Sequence, residues 1–455
     1  MDFKTSLVQV FYLLWNGHDL GQVARRRERR MLLLGAFCTL TMGLVWGAFF
    51  ALQGNWILAT LDLILICGGL GVGVLTFRNL IQAAGVVMFS TLFVVLCLIA
   101  VLFDVPTPQA PRTTHLYLLP LSVAALMAFR TSGVWLRHGI VFLCMVAFVV
   151  LSVVYGAPMM DYALPEQVRA TGAWAQAAAS LAMLYAMLWL MQNDAIGRSA
   201  LENDLRQAIA QGQLQLHFQP QLDTQSRVIG AEALLRWLHP KRGQVMPGEF
   251  IDLAEQTGLI VPIGHWVLEA ACQQLRHWSM QPGMEHLRLA VNISQLQFRQ
   301  ETFVAQVQGL IDRHLIDPNL LELELTESML VEDMQGIIQK METLRARGVA
   351  FSLDDFGTGF SSLSNLKRLP LNNLKIDQSF VRDVLTDRSD ASIAQTIIAL
   401  GNNLGLAVIA EGVETEQQQQ FLLENGCHYF QGYLYSRALP VVEFNRFVAN
   451  HAQFA

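Results

Sequence analysis

The sequence predicts a multi-domain protein: an N-terminal α-helical membrane bundle of about six spans, followed by an α/β barrel of the TIM type. Residues 1–192 are rich in long apolar runs and hold 11 lysines and arginines against 7 aspartates and glutamates, a formal charge of +4. The whole chain carries −6, so residues 193–455 carry −10. In that second part, strand-like and helix-like patterns alternate through about eight β/α units, which is the content of a TIM-type barrel.

Composition divides the chain into four segments. Residues 1–30 are a basic, cytoplasmic N-terminal segment that ends in the stretch Arg25–Arg30, and its short apolar run Phe3–Trp15 suits a helix lying on the membrane surface. Residues 31–192 are the transmembrane domain. Residues 193–212 are a helical connector, and residues 213–455 are the barrel.

Six apolar runs approach the roughly 20 residues that a membrane-spanning helix needs. They are Met31–Leu52, Trp56–Phe77, Leu80–Phe103, His115–Phe129, Ile140–Tyr155 and Ala173–Met191. The fourth is the shortest and contains Pro120. Arginines in the short flanks concentrate on the side of the N-terminus, which places that side in the cytoplasm. Six crossings return the barrel to the cytoplasm, whereas five would leave it outside.

Composition also limits the classes of partner. An acidic soluble part argues against binding to long nucleic acid, which requires many lysines and arginines. The six cysteines include no C-x-x-C pair, so we expect buried thiols and neither a disulfide framework nor a zinc site. Asp62 lies inside the second span, where a carboxylate is either functional or paired with a neighbouring helix.

The strongest signal in the second part is a set of polar residues at the ends of the predicted strands. They are Glu232, Asn292, Glu324, Asp354, Asp355, Lys375, Glu411 and Gln431. Taken singly, Asp355 could cap a helix and Lys375 could be a solvated charge. Together they predict an active site, because barrel active sites assemble at the C-terminal ends of the strands. Five carboxylates in one place would repel each other unless cations compensate them, and an oxygen-rich site suits Mg²⁺ or Mn²⁺.

These residues lie in motifs that resemble the EAL family of cyclic di-GMP phosphodiesterases. The segment Gly230–Trp237 contains the Glu-Ala-Leu signature, and the resemblance extends from about Leu201 to the C-terminus. Seven further blocks match in the family's order: Phe218–Pro220, Asn292–Ser294, Glu324–Glu327, Asp354–Gly359, Leu374–Asp377, Ala410–Glu414 and Gln431–Gly432. Such a set is far more specific than the three-residue signature alone.

The resemblance implies hydrolysis of cyclic di-GMP to linear pGpG at a site with two Mg²⁺ or Mn²⁺ ions. The implied metal ligands are Glu232, Asn292, Glu324, Asp354, Asp355 and Glu411. The implied catalytic residues are Lys375, which would orient and help to deprotonate the attacking water, with Glu232, Asp354, Asp355 and Glu411. The implied substrate-binding residues are Gln219, Arg236 and Gln431, and the supporting residues are Glu327, Glu414 and Asp377.

The resemblance also implies a homodimer formed through the EAL domain. The segment Asp355–Ser362 resembles the family's flexible loop between metal site and dimer interface, and Glu327 matches the residue that anchors it. Phe218 and Phe360 stand where tyrosine is frequent, which removes hydroxyl groups but no metal ligand. No Gly-Gly-Asp/Glu-Glu-Phe motif of a partner synthase domain is present in this sequence.

Two other functions stay open at this point. An inactive EAL domain could act as a cyclic di-GMP receptor, although every implied metal ligand and the lysine are in place. A membrane scaffold could use the barrel as an interaction surface. We expect a multi-pass protein of a bacterial inner membrane, in contact with lipids, whose catalytic domain is cytoplasmic and whose membrane half regulates it.

Overall fold

The computed structural model describes residues 23–52, 54–78, 80–104, 106–107, 111–129, 133–153, 166–327, 329, 334–357 and 366–452. The chain forms two compact units, Met1–Ser199 and Ala200–Ala455. The surface helix predicted at residues 3–15 and most of the predicted loop 355–362 lie outside the described residues.

The first unit is helical. Its helices are α1 (Val23–Leu52), α2 (Trp56–Phe77), α3 (Ile81–Leu102), a 3₁₀ turn (Thr114–Tyr117) that leads into α4 (Leu118–Ala128), α5 (Val134–Val153) and α6 (Glu166–Ala208). Five of them contain segments long and apolar enough to cross a membrane, namely Met31–Leu52, Trp56–Phe77, Ile81–Leu102, Val134–Val153 and Gly172–Asn193. These segments correspond to the first, second, third, fifth and sixth predicted spans, so the predicted helical bundle is confirmed.

The fourth predicted span is short in the structure, as its sequence indicates. In place of the predicted run 115–129, the structure has the 3₁₀ turn followed by α4, an apolar stretch of the same length at residues Thr114–Ala128. At the helical rises of about 1.5–2.0 Å per residue, it covers roughly 24 Å, against about 30 Å for the hydrocarbon core of a bilayer. Apolar composition alone does not report where a helix begins.

A buried polar cluster precedes α4 and fixes its start. The Asp104 Oδ2 accepts hydrogen bonds from the backbone N–H groups of Thr113 and Thr114, both at 2.8 Å. The buried Arg112 donates through Nε to the Asp104 carbonyl at 2.9 Å and through Nη1 to the Leu151 carbonyl at 2.6 Å. These contacts satisfy the backbone N–H groups of Thr113 and Thr114 at the start of the 3₁₀ turn.

The predicted connector is the end of a longer helix. Helix α6 runs without interruption from Glu166 to Ala208, through the sixth span and most of residues 193–212. Its last part contains no proline, and Leu201 and Leu205 are buried in the core of the second unit. Helical periodicity therefore continues past the point where the composition changes from apolar to polar.

Among its described residues, the second unit contains ten strands. They are β1 (Leu214–Asp223), β2 (Val228–His239), β3 (Gly243–Val245), β4 (Arg288–Asn292), β5 (Leu321–Thr326), β6 (Ala350–Phe356), β7 (Asn373–Ile376), β8 (Ala407–Ala410), β9 (Tyr429–Phe430) and β10 (Leu439–Pro440). The α-helices are α7 (Pro247–Thr257), α8 (Ile260–Trp278), α9 (Gln295–Arg299), α10 (Phe303–His314), α11 (Met334–Arg345), α12 (Gln378–Arg382), α13 (Arg388–Leu404), α14 (Glu416–Glu424) and α15 (Val441–Ala452).

Eight of these strands close into a barrel, which confirms the predicted fold. The order is β1-β2-β4-β5-β6-β7-β8-β9, and β9 pairs with β1 to complete the ring. Strand β1 is antiparallel to both neighbours, whereas the other pairs in the ring are parallel. The short strands β3 and β10 add to β2 and β1 outside the ring. Because side chains alternate between the two faces of a strand, each barrel strand sends every second residue inward.

Candidate active site

The C-terminal ends of the parallel strands bring the predicted polar residues to one rim of the barrel. Glu232 lies in β2, Glu324 in β5 and Lys375 in β7, and Asn292 is the last residue of β4. Asp354 and Asp355 lie near the end of β6, and Glu411 and Gln431 directly follow β8 and β9. We call Glu232, Asn292, Glu324, Asp354, Asp355 and Glu411 the acidic rim.

The ammonium group of Lys375 lies at the centre of the acidic rim. Its Nζ is 2.8 Å from Glu324 Oε1, 3.4 Å from Glu232 Oε2 and 3.7 Å from Asp354 Oδ1, and it also contacts Glu411 Oε1. The Lys375 side chain is 0% exposed. Burial would lower the pKa of Lys375, but the surrounding carboxylates raise it well above its usual range, so this lysine carries a positive charge. A single ammonium group neutralises only one of the four carboxylates that it contacts.

Within the acidic rim, Glu232 is a carboxylate that accepts hydrogen bonds from two side-chain amides. Asn292 Nδ2 donates to its Oε1 and Gln431 Nε2 donates to its Oε2, both at 2.6 Å. Gln431 is held in turn by Gln221, whose Nε2 donates to the Gln431 Oε1 at 3.0 Å. Burial opposes the charged form of Glu232, but Lys375 and these amides together lower its pKa. Glu232 is therefore ionised within the barrel.

The other carboxylates in contact with Lys375 behave differently. Burial raises the pKa values of Glu324 and Glu411 well above their usual range, and also raises that of Asp354. The repulsion of neighbouring carboxylates adds to this effect, and Lys375 opposes it. Glu324 Oε2 is buried and has no hydrogen-bond partner among the described residues. Glu324, Asp354 and Glu411 therefore share one ammonium group, which is not enough positive charge to offset their burial.

Asp355 closes β6 in an unusual backbone conformation. Its φ is +56°, in the left-handed region, and the pairing of β6 with β7 shifts register between Leu353 and Phe356. Burial, the Asp354 charge and a hydrogen bond with the Asp377 carboxyl raise the pKa of Asp355 to about 7. Asp377 also accepts a 2.8 Å hydrogen bond from the Ser379 N–H at the start of α12. The bulge turns Asp355 toward Asp377 instead of continuing the strand.

The other predicted site residues surround this centre at different distances. Gln219 Oε1 accepts a 3.2 Å hydrogen bond from Gln431, which ties Gln219 to the site. Arg236 is half-buried and donates to the Leu235 carbonyl at 2.9 Å. Glu327 is buried, and its Oε2 accepts the Gly357 N–H at 3.3 Å where the predicted loop begins.

Glu414 and Gln221 are the two positions where structure and sequence analysis differ. Glu414 is exposed, and its N–H donates to Gln418 Oε1 at 2.8 Å, so its side chain lies outside the buried cluster. Gln221 was not predicted as a site residue, although it supports Gln431. Its position two residues after Gln219 on the inward face of β1 is the signal that could have identified it.

The chemistry of these residues fits divalent metal ions. Every donor in the acidic rim is an oxygen, or an amide that offers one, which is the ligand set of Mg²⁺ and Mn²⁺. Glu324 Oε2 has no hydrogen-bond partner among the described residues, and carboxylates outnumber cations at the rim. Both observations also favour a bound cation. Among the described residues, no group of three histidine, cysteine, aspartate or glutamate side chains lies at metal-binding distances, and the Lys375 ammonium contacts the carboxylates of Glu324 and Glu411.

Comparison with known proteins places the barrel in a family. The family model described as EAL domain matches residues 202–438, which is just over half of the chain. This chain belongs to the EAL domain family. The residues of the acidic rim and Lys375 all lie within the matched region of the EAL domain.

Relatives of the EAL domain are close in sequence. The chain is 49% identical over 241 residues to the bifunctional diguanylate cyclase/cyclic di-GMP phosphodiesterase MucR of Pseudomonas aeruginosa, covering 53% of this chain and 35% of MucR. It is 45% identical over 249 residues to the cyclic di-GMP phosphodiesterase NbdA of the same organism, covering 54% of this chain and 32% of NbdA. The chain thus spans about a third of the length of these curated relatives.

A solved structure supports the same assignment. The phosphodiesterase of PaMucR in complex with c-di-GMP is 48% identical to this chain, with a TM-score of 0.52, and the match covers 54% of this chain and 99% of that one. The match is confined to about half of the chain. The structural match shows that the EAL domain of this chain resembles that of PaMucR in fold as well as in sequence.

Proposed function

We propose that this protein is a membrane-anchored phosphodiesterase that hydrolyses cyclic di-GMP to linear pGpG with two Mg²⁺ or Mn²⁺ ions. The observation that carries the proposal is the convergence of four carboxylates on Lys375 at the C-terminal rim of the barrel. The names of MucR and NbdA and the bound ligand of the PaMucR structure supply the substrate class. An intact acidic rim favours an enzyme over a receptor.

The residues of the acidic rim would hold the ions. Glu232, Asn292, Glu324 and Asp354 suit one ion, and Asp354, Asp355 and Glu411 suit the other. Bound divalent ions lower the pKa of coordinated water and offset charge on a phosphate. The chain itself contributes the fixed positions of these oxygens, because Asn292 and Gln431 orient Glu232.

Lys375 and the residues beside the rim would act on water and substrate. The Lys375 ammonium would orient the attacking water and stabilise negative charge on the phosphate as the water oxygen displaces the ribose oxygen. The leaving ribose oxygen takes up the equivalent of the proton that the water gives up, and the ring opens to pGpG. Arg236 is half-buried, and its guanidinium suits a phosphate oxygen. Gln219 would position the substrate through its amide.

The direct test is product analysis with the full-length chain in detergent micelles. Cyclic di-GMP incubated with the wild type and Mg²⁺ should yield pGpG, and a chelator should stop the reaction. Glu232→Ala should yield no product. Glu285→Gln, an exposed carboxylate ahead of β4, serves as the matched control and should behave as the wild type.

Each alternative predicts a different result in this test. A receptor would bind cyclic di-GMP tightly without forming pGpG. A scaffold would show neither hydrolysis nor binding. Either outcome with the wild type would contradict the proposed enzyme.

We also propose the location and assembly of the protein. Five apolar helices long enough to cross a membrane support anchoring in a lipid bilayer. The arginine-rich flanks of the spans support a bacterial inner membrane with a cytoplasmic barrel and an even number of crossings, with the short fourth helix completing the count. A homodimer through the EAL domain, with dimer-controlled metal binding, is the proposed means of regulation by the membrane half. A monomer with undiminished activity would refute that regulation.

A further inference from the structure

The half of the barrel opposite the acidic rim is hollow. TIM-type barrels are normally filled by layers of bulky branched side chains. Strand alternation leads back from Glu232, Asn292 and Asp354 to small residues, namely Gly230, Ala290 and Ser352. On β8 it leads back from Glu411 to Ile409 and then Ala407, and both line a cavity of about 270 Å³.

The cavity lies at the N-terminal ends of the parallel strands. Arg288, Asn373, Ala407 and Tyr429 are the first residues of β4, β7, β8 and β9, and all four line the cavity. The acidic rim lies at the other ends of the same strands. The cavity is therefore distinct from the proposed catalytic site.

A buried carboxylate lines the cavity without a partner. Glu322 in β5 is only 2% exposed, and its Oε1 has no hydrogen-bond partner among the described residues. On the neighbouring strand, the Ser352 hydroxyl is fully buried and equally without a partner in the described chain. A buried polar group without a partner is destabilising, so a ligand that donates a hydrogen bond to Glu322 would be favoured in the cavity.

The two ends of the cavity carry opposite charges. Arg288 is exposed at the start of β4, while Glu322 is paired in register with Ala290, two residues further along that strand. Two residues of a strand rise about 6.6 Å. The buried amides of Gln221 and Asn373 also line the cavity and can donate or accept hydrogen bonds. A complementary ligand has a cationic end for Glu322 and an anionic end for Arg288.

The volume restricts the ligand to a small molecule. At about 30 Å³ per water, the cavity holds about nine waters, slightly less than typical ligand pockets of about 300–1,000 Å³. We propose that this cavity binds a small zwitterion of amino-acid size, with an ammonium or guanidinium group at Glu322 and a carboxylate at Arg288. The inference does not depend on the proposed phosphodiesterase activity.

The test is calorimetric titration of the full-length chain in detergent micelles, with L-arginine as the probe. L-arginine should bind saturably at one site per chain. Glu322→Gln should weaken binding about tenfold or more, because it removes the charge from a hydrogen bond to a cation. Ala407→Leu should weaken binding by a similar factor because it fills the cavity, and this variant decides the question if Glu322→Gln does not fold. Putrescine, which lacks the carboxylate, should bind more weakly than L-arginine.

Two control variants separate the cavity from other acidic sites. Glu285→Gln removes an exposed carboxylate ahead of β4, and Glu232→Gln removes the charge of a carboxylate in the acidic rim. Both should bind L-arginine as the wild type does. The proposal is overturned if L-arginine shows no saturable binding at millimolar concentrations. It is also overturned if binding survives both Glu322→Gln and Ala407→Leu, or is lost in Glu232→Gln.

Discussion

Glu232 and Glu324 show how the environment of a single residue decides its role. Both are buried carboxylates that contact Lys375. Glu232 also accepts hydrogen bonds from Asn292 and Gln431, so its charged form is stabilised without any ion. Glu324 lacks such donors, and burial raises its pKa. We infer that Glu232 is oriented in advance for an ion, whereas a bound cation would lower the raised pKa of Glu324.

Replacing Lys375 tests the electrostatic part of this account. Lys375→Met removes the only cation in contact with the four carboxylates among the described residues. In chelator, the free energy of unfolding should fall by about 3–5 kcal/mol, the cost of leaving buried charges without their partner. Mg²⁺ should then raise the melting temperature of the variant more than that of the wild type. The same melting shift in both proteins would contradict the account, and Lys367→Met, at an exposed lysine, is the control.

Replacing Gln431 tests the support of Glu232. Gln431→Ala removes the 2.6 Å hydrogen bond to Glu232 Oε2 and leaves Gln221 without its acceptor. Because residues that orient metal ligands commonly contribute about 10–100-fold to metal affinity or activity, the Mg²⁺ concentration for half-maximal turnover should rise by a factor in this range. Gln420→Ala, at an exposed glutamine on α14, should leave the Mg²⁺ dependence unchanged. An unchanged Mg²⁺ dependence in Gln431→Ala would show that Glu232 needs no support.

At the scale of elements, the end of β6 combines function with backbone strain. Asp355 adopts a left-handed φ of +56°, a region that costs a non-glycine residue of order 1 kcal/mol or more. The conformation follows the register shift between β6 and β7 and directs Asp355 toward Asp377. A residue suited to stability alone would be glycine at this position. We infer that the carboxylate is retained for its chemistry.

Substitution of Asp355 should therefore separate stability from activity. Asp355→Gly should raise the free energy of unfolding in chelator by about 1 kcal/mol, because it relieves the strain and removes a half-buried carboxyl group. It should also abolish turnover of cyclic di-GMP. Asp355→Asn tolerates the left-handed conformation and should be inactive without the same gain in stability. Denaturant unfolding and product analysis measure the two quantities, and an active Asp355→Gly variant would contradict the role of Asp355.

At the scale of the whole molecule, the sequence predicted both units and most of the candidate site. The strand-end positions of Glu324, Lys375 and Glu411 could be read directly, because an apolar strand that ends in a charge places that charge at a barrel rim. The antiparallel direction of β1 could not be read, because alternation reports which face a residue occupies and not the direction of the strand. Gln221 was not predicted as a site residue, because its hydrogen-bond partner Gln431 is 210 residues away in the sequence.

The membrane half was less predictable at one point. Hydropathy predicted the short fourth span, but it did not predict that the segment begins with a 3₁₀ turn beside the contacts of Asp104 and Arg112 with backbone groups. Such contacts depend on residues brought together by folding. Apolar composition reports that a segment avoids water, and it does not report the length of the helix within that segment.

The proposed topology can be tested with reporters fused to the full-length chain. A reporter after Ala455 that is active only in the cytoplasm should be active, because the flanking arginines favour an even number of crossings. A reporter inserted after Gly54, in the loop between α1 and α2, should report the opposite side. A C-terminal reporter on the same side as Gly54 would show that the short helix α4 does not complete a crossing.

Counting bound metal tests the central claim most directly, that the acidic rim is a divalent metal site. Equilibrium dialysis of the full-length chain against Mn²⁺ should show two tightly bound ions per chain in the wild type. In the double variant that carries both Glu232→Ala and Asp354→Ala, tight binding of Mn²⁺ should be lost. A wild-type chain that binds no Mn²⁺ and still hydrolyses cyclic di-GMP in chelator would contradict the account.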